Sequence, residues 1–174
     1  ARRVDRLICM SHAIERASAP LGVPATRRLV LDDPFDTSDY RRPASPAVRA
    51  SLGLADGDRA VVLLARIIPW KGQDVLLRAL PAVLADHPDA VAVLVGEATD
   101  DKGRRYRAEL EALVAELGIG GRVRFAGARR DVADVLAAAE VVVHCSTTPE
   151  PFGRVVVEAM AAGRPVIAAD AGGV

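Results

Sequence analysis

Short apolar runs alternate with longer amphipathic segments along most of the chain. The runs are four to six residues long and cover residues 60–65, 90–95, 123–126, 141–144 and 166–169. Apolar runs of this length are typical of strands that helices bury on both faces of a parallel sheet. Because helical segments separate them, the pattern predicts an α/β domain with a doubly wound, Rossmann-like parallel sheet.

Four helices are predicted between these strands. The first follows Gly72 and runs to about residue 85, with an apolar face made of Val75, Leu76, Ala79, Leu80, Val83 and Leu84. Residues 104–117 and 132–139 form the next two. The last begins near Gly153 and ends at Gly163, before Pro165, because glycine accepts a left-handed cap and proline cannot continue a helix.

The pattern is different before residue 47. Residues 4–10 and 28–31 are short strand candidates, and Ser11 can cap a helix between them. Residues 32–46 are rich in Asp, Pro and Ser and lack periodicity, which is typical of a linker. We therefore expect a fragment of one domain over residues 1–31, a linker over 32–46 and a second domain over 47–174, cut short at its C-terminus.

Composition narrows the class of protein. The 174 residues are 51% hydrophobic and only 3% aromatic, as suits one α/β core built from small aliphatic side chains. The formal net charge is zero, so no global field favours nucleic acid, and we expect no nucleic-acid partner. Two distant cysteines and no signal peptide indicate reduced thiols and a cytoplasmic protein.

Several candidate anion-binding groups fall at the carboxyl ends of predicted strands, where α/β sheets bind ligands. Arg66 follows residues 60–65, and Lys71 lies at the start of the next helix, so both can face one anion. Alternatively, both are solvated surface charges, although a lysine there opposes the helix dipole. The helix that begins near Gly153 offers further donors in the free amides of its first turn, including Arg154 and Val155.

Two glutamates separated by seven residues lie on either side of the start of that last helix: Glu150 in the turn before it and Glu158 in its second turn, with Phe152-Gly153 soon after the first. This motif resembles that of the retaining glycosyltransferases of the two-domain GT-B fold known as family 4. The resemblance implies that the chain is the C-terminal, donor-binding half of a hexosyltransferase-like enzyme. Such an enzyme transfers a sugar from a nucleotide diphosphate to an acceptor hydroxyl with retention of configuration.

The resemblance also implies roles for individual residues. Glu150 would face the donor sugar and stabilise charge at the anomeric carbon, and Glu158 would bind the ribose hydroxyls. Arg66 and Lys71 would hold the diphosphate, and Gly96 would lie near the base. Two alternatives stay open at this point: simple exposure of Glu150 in its loop, and a salt bridge between Glu158 and an arginine.

The resemblance implies no cofactor and no metal, because cationic side chains and a helix start stabilise the leaving diphosphate. Asp56-Gly57-Asp58 has the spacing of a metal motif but lies in a turn at the wrong end of its strand. The implied partners are a nucleotide sugar and an acceptor that is a carbohydrate, a lipid or a small molecule. Peripheral membrane contact would come through the N-terminal domain, and we expect the isolated fragment to be inactive.

Other functions can use the same residue types. A pair of carboxylates also suits a glycosidase, but that enzyme needs no phosphate-binding helix start. A dehydrogenase needs a glycine fingerprint where this chain has Arg66 to Lys71. His144, Cys145 and Ser146 resemble a nucleophile cluster only superficially. A binding module without catalysis and a sugar-nucleotide epimerase on the GT-B fold remain alternatives.

Overall fold

Strands and helices alternate along residues 4–31 and 34–174, which the computed structural model describes. In the first part lie β1 (Leu7–Cys9), α1 (His12–Ala17), β2 (Arg28–Val30) and α2 (Pro46–Ser51). The second part contains β3 (Arg59–Leu64), α3 (Gln73–Asp86), β4 (Ala90–Val95), α4 (Asp101–Glu116), β5 (Val123–Gly127), α5 (Val132–Ala137), β6 (Val141–His144), α6 (Arg154–Ala161) and β7 (Val166–Ala168).

Five strands form one parallel sheet in the order β5-β4-β3-β6-β7. The apolar runs predicted as strands become these five, with bounds that differ by at most one residue at either end. The predicted α/β class with a Rossmann-like parallel sheet is therefore confirmed. Since every neighbour pair is parallel, all five carboxyl ends lie at one edge of the sheet.

Alternate residues of the strands fill two separate cores, one on each face of the sheet. In β3, Ala60 and Val62 pack on the side of α5 and α6, whereas Leu63 packs on the side of α3 and α4. This division follows from the two-residue period of a strand. Helices therefore cover both faces, as the continuous apolar runs predicted.

The strand order reverses between β3 and β6. From β3 the chain crosses to β4 on one side, and from β6 it crosses to β7 on the other side. The turns that follow β3 and β6 therefore diverge and leave a crevice at the carboxyl edge, which is where open α/β sheets bind ligands.

The residues before 47 form a separate small unit and a connecting segment. β1 and β2 pair only with each other in the described chain, with Leu7 opposite Arg28, and Ser11 caps α1 by accepting a bond from the Ile14 amide. Residues 34–45 contain a single short turn, Ser38–Tyr40, that contacts α5. The parts of the predicted domain fragment and linker at residues 1–3 and 32–33 lie outside the described residues, and the domain division stays a prediction.

Two details of the helices differ from the expectation. The buried face of α3 consists of Gln73, Leu76, Leu77 and Leu80, while Val75 and Ala79 are exposed. α4 begins three residues before the predicted position 104, because the Asp100 side chain accepts a bond from the Gly103 amide and caps an earlier first turn.

Candidate functional site

A cleft of about 530 Å³ opens at the crevice between the β3 and β6 carboxyl ends. Six of the predicted site residues line it: Arg66, Lys71, Glu150, Arg154, Val155 and Glu158. Arg66 and Lys71 come from the β3–α3 turn, and the other four come from the β6–α6 turn and α6. The cleft thus brings together side chains that are about 80 residues apart in sequence.

Direct backbone contact fixes the two turns against each other. Gly72 has φ +67°, and a Cβ at this position would overlap the carbonyl oxygen of Cys145. Close by, the Thr147 amide donates to the carbonyl of Trp70 at 2.8 Å. Only glycine allows this approach, and its consequence is that Lys71, one residue earlier, reaches across to the β6–α6 turn.

The ammonium of Lys71 and the carboxylate of Glu150 form the shortest ion pair of the cleft. Nζ of Lys71 lies 2.6 Å from Oε2 of Glu150, and the two side chains are only 15% and 12% exposed. The ammonium also lies 4.0 Å from the centre of the Trp70 ring, a cation–π distance. Lys71 is therefore not a solvated surface charge and Glu150 is not simply exposed in its loop, whereas Arg66 is exposed.

Two more donors reach the same oxygen of Glu150. Nε2 of His144 lies 3.0 Å from Oε2, and the Ser146 hydroxyl donates to it at 2.9 Å. Burial on its own raises the pKa of Glu150, but the bonds from Lys71, His144 and Ser146 together outweigh it, so this pKa lies below its ordinary value. Glu150 is consequently an ionised acceptor at neutral pH and not a general acid.

The His144 and Ser146 pair does not form a hydrolase triad. In a triad, the serine and the carboxylate bond opposite nitrogens of the imidazole. Here Ser146 and Glu150 both lie 3.0 Å from Nε2, and Nδ1 is buried without a hydrogen-bond partner among the described residues. The arrangement therefore cannot relay a proton from Ser146, in agreement with the expectation of no catalysis at this cluster.

Glu158 lies at the other side of the cleft and is 8% exposed. Its Oε1 accepts bonds from the Tyr40 hydroxyl at 3.2 Å and from Nε of Arg154 at 3.0 Å. The salt bridge to an arginine that sequence left open is thus present. It occupies one oxygen, and no described residue bonds the second oxygen, Oε2.

Positive charge and free amides border the cleft as well. Arg66 is exposed and forms no ion pair with any described carboxylate, while its carbonyl accepts a bond from buried Gln73 at 2.8 Å. α6 points its N-terminus to the cleft, and the first amides of a helix have no acceptor within it. Cationic groups and a helix start therefore meet where an anion can bind.

A second depression of about 260 Å³ adjoins the cleft and shares Leu64, Ala65 and Arg66 with it. Gly96 lines this depression instead of the cleft. It has φ +143°, and a Cβ at this position would overlap the carbonyl oxygen of Ala65. The carboxyl ends of β3 and β4 therefore approach closely here, and a bound molecule could extend from the cleft into the depression.

Gly153 does not line the cleft. It is the N-cap of α6 with φ +82°, and a Cβ would lie 2.8 Å from a methyl group of Val174. The loop that ends the chain pairs with the Glu150 turn through a bridge between Glu150 and Gly172. Gly153 thus starts the helix without contacting the cavity itself.

Five polar or aromatic residues of the site were not predicted to act there: Tyr40, Trp70, Gln73, His144 and Ser146. A sequence signal existed for Gln73, which occupies an apolar position of α3, and for His144, which ends an apolar strand. Tyr40 gave no such signal, because it lies in an aperiodic segment 118 residues from Glu158.

Neither a metal site nor a membrane span is present among the described residues, 4–31 and 34–174. No group of three or more His, Cys, Asp or Glu side chains is arranged to hold a metal ion. Asp58, the second residue of the Asp-x-Asp spacing, bonds Arg122 and the Ala55 amide at the opposite end of β3. No helix among these residues combines the length and hydropathy of a membrane span.

Comparison with known proteins places this arrangement in context. The family model for glycosyl transferases group 1 matches residues 45–174. A D-inositol 3-phosphate glycosyltransferase from Nocardia farcinica is 37% identical over 173 residues, which are 97% of this chain and 38% of that protein. A GDP-mannose-dependent monoacylated alpha-(1-6)-phosphatidylinositol monomannoside mannosyltransferase from Corynebacterium glutamicum is 35% identical over 143 residues, 75% of this chain and 35% of that protein.

A solved structure is similar over nearly the whole chain. The crystal structure of Anabaena Alr3699/HepE in complex with UDP-glucose superposes with a TM-score of 0.88 at 40% identity, covering 99% of this chain and 46% of that one. The chain therefore spans less than half the length of each of these three proteins.

Proposed function

The chain belongs to the glycosyl transferases group 1 family, and on this premise we propose that it is the donor-binding part of a retaining GT-B glycosyltransferase of family 4. It binds a nucleoside diphosphate sugar in the cleft at the β3 and β6 carboxyl ends. The whole protein transfers the sugar to an acceptor hydroxyl. Because the chain spans 38% of its Nocardia relative, the acceptor side comes from residues outside it.

The observation that carries the proposal is the convergence of Arg66, Lys71 and the α6 N-terminus on a cleft that Glu150 and buried Glu158 also line. A diphosphate needs concentrated positive charge and oriented donors, which these groups supply. The sugars on either side of it need hydroxyl acceptors, which the carboxylates supply. Glu158 accepts from the ribose through Oε2, and Glu150 faces the transferred sugar.

The proposed chemistry breaks the bond between the anomeric carbon and the diphosphate oxygen and forms a bond from that carbon to the acceptor oxygen, whose proton passes to the leaving diphosphate. Negative charge then develops on the leaving diphosphate, where Arg66, Lys71 and the helix amides stabilise it. Positive charge develops at the anomeric carbon, where ionised Glu150 stabilises it. These cationic groups do the work that a metal ion does elsewhere, so we propose that no metal is required. Retention and membership of family 4 rest on the sequence resemblance.

Donor and acceptor are proposed by class. HepE is solved with UDP-glucose and the Corynebacterium relative is named for GDP-mannose, so we take a nucleoside diphosphate hexose as the donor. The base extends into the depression lined by Gly96. The acceptor is a hydroxyl of a carbohydrate, a lipid or a small molecule such as an inositol phosphate. The free thiols Cys9 and Cys145 suit the cytoplasm.

The test titrates the full-length protein with UDP-glucose and GDP-mannose by calorimetry. At least one donor should bind. Lys71→Ala should lower the affinity for that donor and for its free nucleoside diphosphate by the same factor, roughly 10-fold or more, because both contain the diphosphate. Lys102→Ala is the matched control, since Lys102 is exposed on α4, away from the cleft. Equal affinities for wild type and Lys71→Ala would contradict the diphosphate role.

Product analysis separates the proposed activity from its rivals. Incubation with the donor that binds and a panel of polyol, sugar and lipid acceptors should yield a glycoside. An altered free sugar nucleotide would identify an epimerase, and binding without turnover would identify a module without catalysis. Residues 1–174 alone should bind the donor and form no glycoside.

A further inference from the structure

The carboxylate of Glu150 is bonded very unequally. Oε2 receives all three donors, Lys71 at 2.6 Å, Ser146 at 2.9 Å and His144 at 3.0 Å. Oε1 accepts no hydrogen bond from the described residues, and Glu150 lines the cleft. Because an ionised carboxylate has acceptor capacity on both oxygens, the protein saturates one of them and leaves the other for a bound molecule.

The proton positions around Oε2 follow from the contacts. The single proton of the Ser146 hydroxyl goes to Glu150. The short distance between Nε2 of His144 and Oγ of Ser146, 3.0 Å, then requires the imidazole proton on Nε2, shared between Oγ and Oε2. Nδ1 is buried without a partner among the described residues, so a proton placed there would be an unsatisfied donor.

Burial makes this network rigid. His144 is 5% exposed and Ser146 is 6% exposed, and neither lines the cleft. His144 ends β6, whose backbone pairs with β3 and β7 on either side. His144 is therefore held by the sheet and Ser146 lies two residues beyond it in the same turn as Glu150, whereas Lys71 reaches Glu150 from the opposite turn.

We propose that His144 and Ser146 are positioning residues that fix Oε2 of Glu150 and thereby present Oε1 to the hydroxyls of the donor sugar. When a diphosphate draws Lys71 away, these two donors keep the carboxylate ionised and in place. This inference rests on the proposed function, since it assumes that a nucleoside diphosphate sugar occupies the cleft.

The test measures the affinity of the full-length protein for UDP-glucose and for UDP, with three variants. His144→Leu removes the donor and His144→Gln keeps an N–H at a similar distance from the backbone. Ser146→Ala removes the second donor with little change in volume. His144→Leu and Ser146→Ala should each lower the affinity for UDP-glucose roughly 10-fold and change the affinity for UDP by less than about twofold. His144→Gln should restore most of the lost UDP-glucose affinity.

A double-mutant cycle with Glu150→Ala shows whether the effect passes through the carboxylate. In that background His144→Leu should cause no further loss of UDP-glucose affinity. The proposal is overturned if His144→Leu and Ser146→Ala weaken UDP and UDP-glucose equally, or if the His144→Leu loss persists without Glu150. A wild-type protein that binds neither UDP nor UDP-glucose, nor any other nucleoside diphosphate sugar, would instead refute the proposed function itself.

Discussion

Lys71 and Glu150 depend on each other because both are largely removed from water. A carboxylate that is 12% exposed gains from a nearby ammonium, and the three donors on Oε2 lower the pKa of Glu150 although burial alone raises it. A group whose pKa is lowered by folding stabilises the fold above its unfolded pKa, and that contribution is lost as the pH falls through the folded value.

Lys71→Met should therefore destabilise the protein in a pH-dependent way. At pH 7 the variant buries a carboxylate that has lost its cation, and we expect a loss on the order of 2 kcal/mol, less than for a fully buried pair. The difference in the free energy of unfolding between variant and wild type should shrink as the pH falls below 4.5, the ordinary pKa of Glu150, towards the lower pKa that Glu150 has in the folded protein. Urea unfolding at pH 7 and pH 3.5 measures both.

Lys102→Met serves as the control for that series. Lys102 is the only other lysine and is exposed on α4. Removing its ammonium should therefore change the free energy of unfolding little at either pH. A loss for Lys71→Met that is the same at pH 7 and pH 3.5 would show that the stabilisation comes from packing on Trp70 and not from the charge of Glu150.

Tyr40 stabilises the second glutamate in a comparable way. Burial first, and then the charge of Glu158, raise the pKa of Tyr40, so its hydroxyl remains a donor to Oε1. Tyr40→Phe keeps the ring and removes this bond. If Glu158 binds the ribose, the variant should bind UDP and UDP-glucose about 3- to 10-fold more weakly, and by equal factors, because both contain the ribose.

The second tyrosine of the chain provides a matched control. The Tyr106 hydroxyl donates to Asp74 at 2.6 Å, and neither residue lines the cleft. Tyr106→Phe should therefore reduce stability by a similar amount and leave nucleotide affinity unchanged. If both variants lower affinity equally, the loss is a general effect of destabilisation, and Tyr40 has no specific role.

The sequence indicated the acidic and basic residues of the site better than the groups that orient them. Glu150 and Glu158 were recognisable from their spacing and their position after an apolar strand. The bonds from Tyr40, His144 and Ser146 were not, because each depends on side-chain positions that only the packed fold defines. Arg129 shows the same limit: no sequence pattern marks its partners, yet it pairs with Asp131 at 2.6 Å and also bonds Ser51.

At the scale of elements, the contact between the two site turns depends on Gly72. Gly72→Ala would combine an unfavourable positive φ with an overlap between Cβ and the Cys145 carbonyl oxygen, so one of the turns must shift. Gly118 has the same φ of +67°, and no atom lies within 4 Å of its Cβ position. Gly118→Ala therefore measures the strain alone.

The difference between the two alanine variants should be roughly 1–3 kcal/mol in the free energy of unfolding, with Gly72→Ala the less stable. Chemical denaturation of both variants measures it. Donor affinity should fall only for Gly72→Ala, because its displaced turn carries Lys71. Equal destabilisation by the two substitutions would mean that the β3–α3 turn can move without cost.

Helix faces and helix starts were predicted less accurately than strands, for physical reasons. In α3 the face that contains Val75 and Ala79 is about as apolar as the face that contains Leu77. The buried face includes the polar residue Gln73, whose Nε2 bonds the Arg66 carbonyl at the site, so apolar composition alone does not identify this face. A continuous apolar strand offers no such choice of face, which is why the sheet followed the sequence closely.

For the whole molecule, residues before position 47 contact both acidic sides of the cleft. Tyr40 bonds Glu158, and the Ser11 hydroxyl donates to the carbonyl of Pro151, next to Glu150, at 2.6 Å. Ser11 also caps α1, so the small β1–α1–β2 unit is joined to the Glu150 turn through one side chain. A displacement of this unit would therefore reach the turn directly.

Ser11→Ala tests this connection. The Glu150 amide donates to Ala171 and the Gly173 amide donates to Glu150, so hydrogen exchange at these two amides reports on the turn. We expect both to exchange roughly 5-fold faster in the variant, the factor that corresponds to about 1 kcal/mol of lost local stability.

Asp100→Ala controls for the loss of a helix cap as such, because Asp100 caps α4 at 2.7 Å and has no bond to the β6–α6 turn. It should cost a similar amount of stability, about 1 kcal/mol, and leave exchange at Glu150 and Gly173 as in wild type. If the two variants accelerate these amides equally, the Ser11 bond to Pro151 carries no specific constraint. If only Ser11→Ala accelerates exchange at these amides, the contact with the β1–α1–β2 unit stabilises the turn that contains Glu150.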